Sequence, residues 1–150
     1  YLGNTTGKLV KSTNIPALIV PENETFKQPS QILMAFKNGN FDKKRHLEPL
    51  KKMQKHFGTE IQLLHVETPE SDDKMKNVSD DLKEMSASYK TTSNATTYQG
   101  VLEHFQSVNP DIVCVVRRKR GFFKKLWEKN VVLKKEFFTP KPLLILRVQE

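Results

Sequence analysis

Asp111-Ile-Val-Cys-Val-Val116 is the most apolar run in the chain, and it follows the break Asn109-Pro110. A short run of β-branched residues closed off by turn signals reads as a strand buried on both faces, which is the habit of a parallel sheet. Upstream, Thr96 or Thr97 caps a helix carrying Val101, Leu102 and Phe105, which must stop before Asn109-Pro110. The polar stretch from Ser86 to Asn94 fits a weak strand at a sheet edge. Asp72 to Ser86 reads as a charged helix with Met75, Val78, Leu82 and Met85 on one face. Glu60-Ile-Gln-Leu-Leu-His-Val66 reads as a strand. Phe41 to Phe57 reads as a helix through Leu47, Leu50, Met53 and Phe57, closed by Gly58, with Pro49 in its first turn or at a kink.

The alternation begins with the strand Gln31-Ile-Leu-Met-Ala-Phe36 and its turn Lys37-Asn-Gly-Asn40. Downstream of Val116 come a basic turn, one or two helices within Phe123 to Phe138, and a last strand, Leu143-Leu-Ile-Leu146. Strands alternating with helices of this length specify a doubly wound, parallel α/β sheet.

The chain has 150 residues, 37% hydrophobic and 28% charged, which is enough apolar material for one core and a little more. No run reaches the ~18 apolar residues of a membrane span, and no signal-peptide pattern precedes the first strand. The lone cysteine, Cys114, cannot form an internal disulfide or a zinc pair, and its place in the apolar run makes it a buried strand residue. Asn4, Asn23, Asn77 and Asn94 each begin an Asn-x-Ser/Thr sequon. With no signal peptide they read as turns and caps, and a cytoplasmic protein is expected.

An internal echo divides the chain. Residues 3–20 align without a gap on residues 129–146, so that Asn4 meets Asn130, Lys8 meets Lys134, Pro16 meets Pro142, Leu18 meets Leu144 and Ile19 meets Ile145. A cap, an X-Pro break and a strand coincide at one offset. Residues 1–21 then read as the closing helix and last strand of a preceding domain, 22–30 as a linker, and 31–150 as a whole second copy. The chain starts at Tyr1 rather than a methionine and is read as part of a longer tandem protein.

Gln31–Phe36 as first strand, Leu47-Glu-Pro-Leu50 to Leu64-His-Val66, Pro110–Val116 and Gly3-Asn-Thr-Thr6 to Pro21 resemble, in order and spacing, the universal stress protein domain in its tandem form. The resemblance implies a five-stranded parallel sheet flanked by helices, of the adenine nucleotide alpha hydrolase-like kind. It also implies two domains paired through their last strands. Ala17-Leu18-Ile19-Val20 would then lie antiparallel to Leu143-Leu144-Ile145-Leu146, with both segments buried.

Many proteins of that family bind ATP after the fourth strand through Gly-x-x-Gly, nine residues, then Gly-Ser/Thr. Glycines let the backbone approach the phosphates, and the final pair opens a helix whose free N–H groups receive the anion. Here the glycine positions hold Val116, Lys119 and Lys129, the Ser/Thr position holds Asn130, and Lys37 replaces the acid at the end of the first strand. The resemblance thus implies a degenerate site and no cofactor in residues 31–150. Gly3-Asn4-Thr5 keeps the final glycine and a capping residue, so ATP is expected only in the preceding domain, where these three would form the phosphate end.

Arg117, Arg118, Lys119, Arg120, Lys124, Lys125, Lys129, Lys134 and Lys135, set against Glu128, carry a net charge equal to the +8 of the whole chain. Phe122, Phe123 and Trp127 are interleaved among them, as in some nucleic-acid sites. An anion-binding segment built on Arg117, Arg118, Arg120, Lys124 and Lys125 is the alternative function, for nucleic acid, an acidic partner or a phosphorylated ligand. His46, His56, His65 and His104 share no metal-ligand spacing, and no Ser, His and Asp set is placed for nucleophilic catalysis. The expectation is a non-enzymatic regulatory or interaction domain without a metal, partnered by a sister domain or a second copy. A nucleotide hydrolase, losing turnover when Asn4 is changed, is the remaining class.

Overall fold

The computed structural model describes residues 14–22, 24–118 and 141–148. Its six strands form one sheet: β1 (Ala17–Ile19), β2 (Gln31–Phe36), β3 (Glu60–Glu67), β4 (Ser88–Ser93), β5 (Ile112–Arg117) and β6 (Leu143–Arg147). They lie in the order β1-β6-β5-β2-β3-β4. Strands β2 to β6 are parallel, and β1 is antiparallel on β6, with Ala17 opposite Ile145, Leu18 opposite Leu144 and Ile19 opposite Leu143. The fold is therefore a doubly wound α/β sheet with one added antiparallel strand.

β5 is buried at every position, so its two sets of side chains enter two different cores. Cys114 and Val116 join Met34, Phe36, Leu63 and Leu144 on the face covered by Leu47, Leu50 and Leu82. Val113 and Val115 join Leu33, Leu64, Val66 and Ile145 on the face covered by Val101, Leu102 and Phe105. Burial pushes the Cys114 thiol far up from its ordinary value, as suits an inert core residue.

A 3-10 turn (Lys44–Leu47) leads into α1 (Glu48–Phe57), and Pro49 occupies the first turn, where its missing N–H costs nothing. Gly58 closes α1 at φ 67°, the left-handed conformation that a side chain would strain. The expected helix from Phe41 is thus shortened at its start. α3 (Thr97–Val108) begins at Thr96, whose hydroxyl accepts from the Gln99 N–H at 3.2 Å, and ends at Asn109 in the left-handed region before Pro110.

Two expectations fail. The helix read across Asp72 to Ser86 is only α2 (Asp80–Glu84). Its upstream backbone is taken by another loop: Gly39 N–H donates to the Met75 carbonyl at 3.2 Å, and Ser79 N–H donates to the Gly39 carbonyl at 3.0 Å. Val78 and Leu82 still reach the core, so the apolar spacing was right in its destination and wrong in its conformation. The Ala17–Val20 segment is also not buried. Leu18 is 47% and Val20 55% exposed, because β1 is an edge strand covered from one side only, whereas Leu143–Leu146 are buried. The closing helix expected before Asn14 and the helices expected within 123–138 lie outside the described residues.

Asp111 fastens the segment leading into β2 to the start of β5. Its carboxylate accepts from the Ser30 N–H at 2.7 Å, the Ser30 hydroxyl at 2.9 Å and the Gln31 N–H at 3.0 Å, and pairs with Lys27 at 3.2 Å. Burial alone would raise its pKa, but these donors outweigh it and bring the group down to about 2. A depressed carboxylate stabilises the fold above its ordinary value near 3.8, and that contribution is lost as pH falls towards 2. Asp111→Asn should therefore cost roughly 2 kcal/mol at neutral pH in urea unfolding. The variant's deficit should shrink between about pH 4 and pH 2. A deficit that stays constant through that window would show that the carboxylate's charge contributes nothing.

Candidate functional site

Open α/β sheets bind ligands at the carboxyl ends of their strands, where the strand order reverses. Here that point lies between β2 and β5. Lys37 and the loop to Lys43 leave β2 on one side of the crevice, and Arg117 and Arg118 leave β5 on the other.

The crevice is bridged. Arg118 Nη2 donates to the Asn38 carbonyl at 3.0 Å and to the Asn40 carbonyl at 2.6 Å, and its guanidinium lies 4.9 Å from the centre of the Phe41 ring. Such charge-assisted bonds to carbonyls are among the stronger ones, and the cation over an aromatic face adds to them. The loop itself is tight. A Cβ on Gly39 would come within 2.7 Å of Val78 and 2.9 Å of the Asn77 carbonyl, so the loop packs closely on the 75–79 segment.

On the next strand, Arg147 donates from Nη1 to the Arg117 carbonyl at 3.2 Å and the Arg118 carbonyl at 3.0 Å. Arg147 stands beside Arg117 in the parallel register of β5 and β6 and caps the open end of its neighbour. On the other side, His65 Nε2 is 2.9 Å from the Lys37 carbonyl, and Nδ1 is 3.0 Å from the Tyr89 hydroxyl. A carbonyl only accepts, so the proton sits on Nε2 and Nδ1 accepts from Tyr89. The ring also stacks on Phe36 at 5.1 Å.

Of the expected nucleotide-site positions, Lys37 follows β2 with its ammonium 3.0 Å from Glu70, and Val116 is buried in the α1 face of the sheet. Of the expected anion-binding positions, Arg117 is 3% exposed and Arg118 is engaged with the loop carbonyls. The remaining positions lie outside the described residues: Gly3, Asn4, Thr5, Lys119, Arg120, Lys124, Lys125, Lys129 and Asn130. The sequence reading missed Arg147, His65 and Tyr89 as parts of this end of the sheet. The signal for His65 is a polar ring among the apolar residues of β3, placed one strand away from Phe36. No group of metal-ligating side chains occurs among the described residues.

The layout defines a class: a doubly wound α/β sheet whose switch point is spanned by an arginine bonded to the opposite loop. No family model matches the chain, and no curated protein matches it. It is similar in structure to a universal stress protein from Archaeoglobus fulgidus DSM 4304, with a TM-score of 0.63 and 18% identity. The match covers 94% of this chain and 52% of that one, so the chain spans about half the length of that protein. The chain therefore has a universal stress protein-like fold. No helix among the described residues is long and apolar enough to cross a membrane.

His46 sits beside this loop in the 3-10 turn, 6% exposed, with neither ring nitrogen hydrogen-bonded among the described residues. Burial lowers its pKa most, and Arg45, Lys43 and Arg118 push the same way against Asp42. A histidine held neutral contributes stability above its ordinary value near 6.5, and that contribution is lost as pH falls through its lower folded value. His46→Phe should flatten the loss of urea stability below about pH 6.5 while keeping the neutral-pH value within ~1 kcal/mol. An unchanged acid slope would assign that slope to other groups.

Proposed function

We propose that this chain is a universal stress protein-like regulatory or interaction domain with a degenerate nucleotide site, acting through a sister domain or a second copy. The observation that carries the reading is the Arg118 bridge from the end of β5 to the Asn38 and Asn40 carbonyls. It fills the crevice where a nucleotide would lie, and Lys37 replaces the acid that would face a base. The chain is read as non-enzymatic, cytoplasmic and part of a tandem protein. The longer structural neighbour supports that organisation.

Partnering follows from β1. It lies antiparallel on β6 and leaves Leu18 and Val20 exposed at the outer edge of the sheet. An exposed, apolar edge strand is an open template for pairing, and a sister domain or second copy covers it. Retention of ATP by the sister domain rests on Gly3, Asn4 and Thr5.

Titration calorimetry tests the reading. Mg-ATP added to this chain up to ~1 mM should give no saturable heat and release no phosphate. The longer parent protein should bind nucleotide at its first domain. Saturable micromolar binding to this chain would overturn the closed site. Fluorescence anisotropy with short duplex and single-stranded DNA separates the alternative function. Affinity that falls steeply with salt, and is lost on replacing residues 117–120 by alanine, would make the chain an anion-binding module instead.

A further inference from the structure

A groove of about 500 Å3 opens at the other end of the sheet, between the starts of β2, β3 and β4 and the last turns of α3. That volume falls within the roughly 300–1,000 Å3 of small-molecule sites. The groove lies away from the switch point and does not rest on the nucleotide reading. Leu33, Leu64 and Val108 supply its apolar wall. At the same level the strands carry polar side chains where a sheet covered by helices normally carries aliphatic ones.

Ser88 Oγ donates to Gln62 Oε1, Gln62 Nε2 donates to Gln31 Oε1 at 2.8 Å, and Gln31 Nε2 donates to Glu60 Oε2 at 3.0 Å. Each primary amide has two N–H groups, and this chain of bonds uses one from each glutamine. The second N–H of Gln62 and of Gln31 has no acceptor among the described residues and remains for a ligand. His104 lines the groove with its Nδ1 3.0 Å from the Gly100 carbonyl. That carbonyl can only accept, so Nδ1 carries the proton and Nε2 offers a lone pair.

The charges give the ligand a sign. Lys27 is balanced by Asp111, whose oxygens are already occupied by Ser30 and Gln31. Lys90, opposite Leu64 on the α3 side of β4, has no ion-pair partner among the described residues. The carboxyl end of α3 repels negative charge, so an anion belongs at Lys90, with hydroxyls towards the helix and His104. No Phe, Tyr or Trp side chain lines the groove among the described residues, so a nucleobase would have only the His104 ring, already tied to the Gly100 carbonyl, to stack on.

We propose that this groove binds a small polyhydroxylated carboxylate, of the sugar-acid class. The carboxylate pairs with Lys90, a hydroxyl donates to His104 Nε2, and the free amide N–H groups of Gln62 and Gln31 donate to other oxygens. The test is an NMR titration of the isotope-labelled chain with gluconate, with sorbitol (hydroxyls without the charge) and acetate (charge without the hydroxyls) as comparisons. Gluconate should shift the amides of Gln62, Lys90 and His104 saturably, with sorbitol and acetate each at least about tenfold weaker. Lys90→Gln should weaken gluconate at least about fivefold with an unchanged melting temperature, while Lys55→Gln on α1 should have no effect. Absence of saturable shifts up to ~50 mM would overturn the proposal. So would equal affinity in Lys90→Gln, equal binding of sorbitol, or shifts confined to residues 117–118.

Discussion

A strand buried on both faces has no polar outlet along its length, so whatever it exchanges with polar groups or solvent happens at its ends. β5 is that strand. Every residue from Ile112 to Arg117 is buried, and the sheet extends from it in both directions through β2 and β6. The two ends are treated differently. At the start, a carboxylate gathers four donors and ties the segment leading into β2 to the strand. At the finish, a guanidinium reaches across to the carbonyls leaving β2, and another, from β6, caps the carbonyls of Arg117 and Arg118.

That second arrangement bears directly on function. In a doubly wound sheet the crevice at the reversal of strand order exists because the connections leave in opposite directions and part from each other. A phosphate-binding loop keeps the gap open with glycines and fills it with ligand. Arg118 spans it with a protein side chain, and Gly39 admits a close approach of the loop to residues 77 and 78. The basic residues whose number invites an anion are here partly consumed as donors to backbone oxygen. Net charge reports how many cations a chain has, whereas the hydrogen-bond geometry reports which of them are still free.

The strands and the topology were legible in the sequence because their causes are local. Apolar runs of the right length, the Thr96 cap, Gly58 and the Asn109-Pro110 break each act within a few residues. The stretch from Asp72 to Val78 was not legible as a loop. Its apolar spacing is helical, and only the backbone of Gly39, more than thirty residues away, captures the Met75 carbonyl and the Ser79 amide. The exposure of β1 was hidden for a similar reason. Leu18 and Ile19 are as apolar as Leu144 and Ile145, but burial depends on what lies beyond the edge of the sheet. At the site, the positions of Lys37 just after β2 and of Val116 within β5 were readable, while the reach of Arg118 was not, since a side chain's partner across the crevice leaves no trace in spacing.

The polar ladder at the amino-terminal end completes the contrast. Gln62 interrupts a face of β3 that otherwise presents Leu64 and Val66 to α3, beside the polar Ser88 of β4, and such polar groups weaken a core unless they are bonded or wet. Here they are both: linked from Ser88 through Gln62 and Gln31 to Glu60, and open to a groove under the end of the helix. Aliphatic side chains at these positions would let α3 settle onto the sheet and close the space. The glutamines hold it open. The sheet thus has one end where an arginine spans the crevice and one where polar side chains line a cavity. A ligand function retained by the described residues has its room at the second.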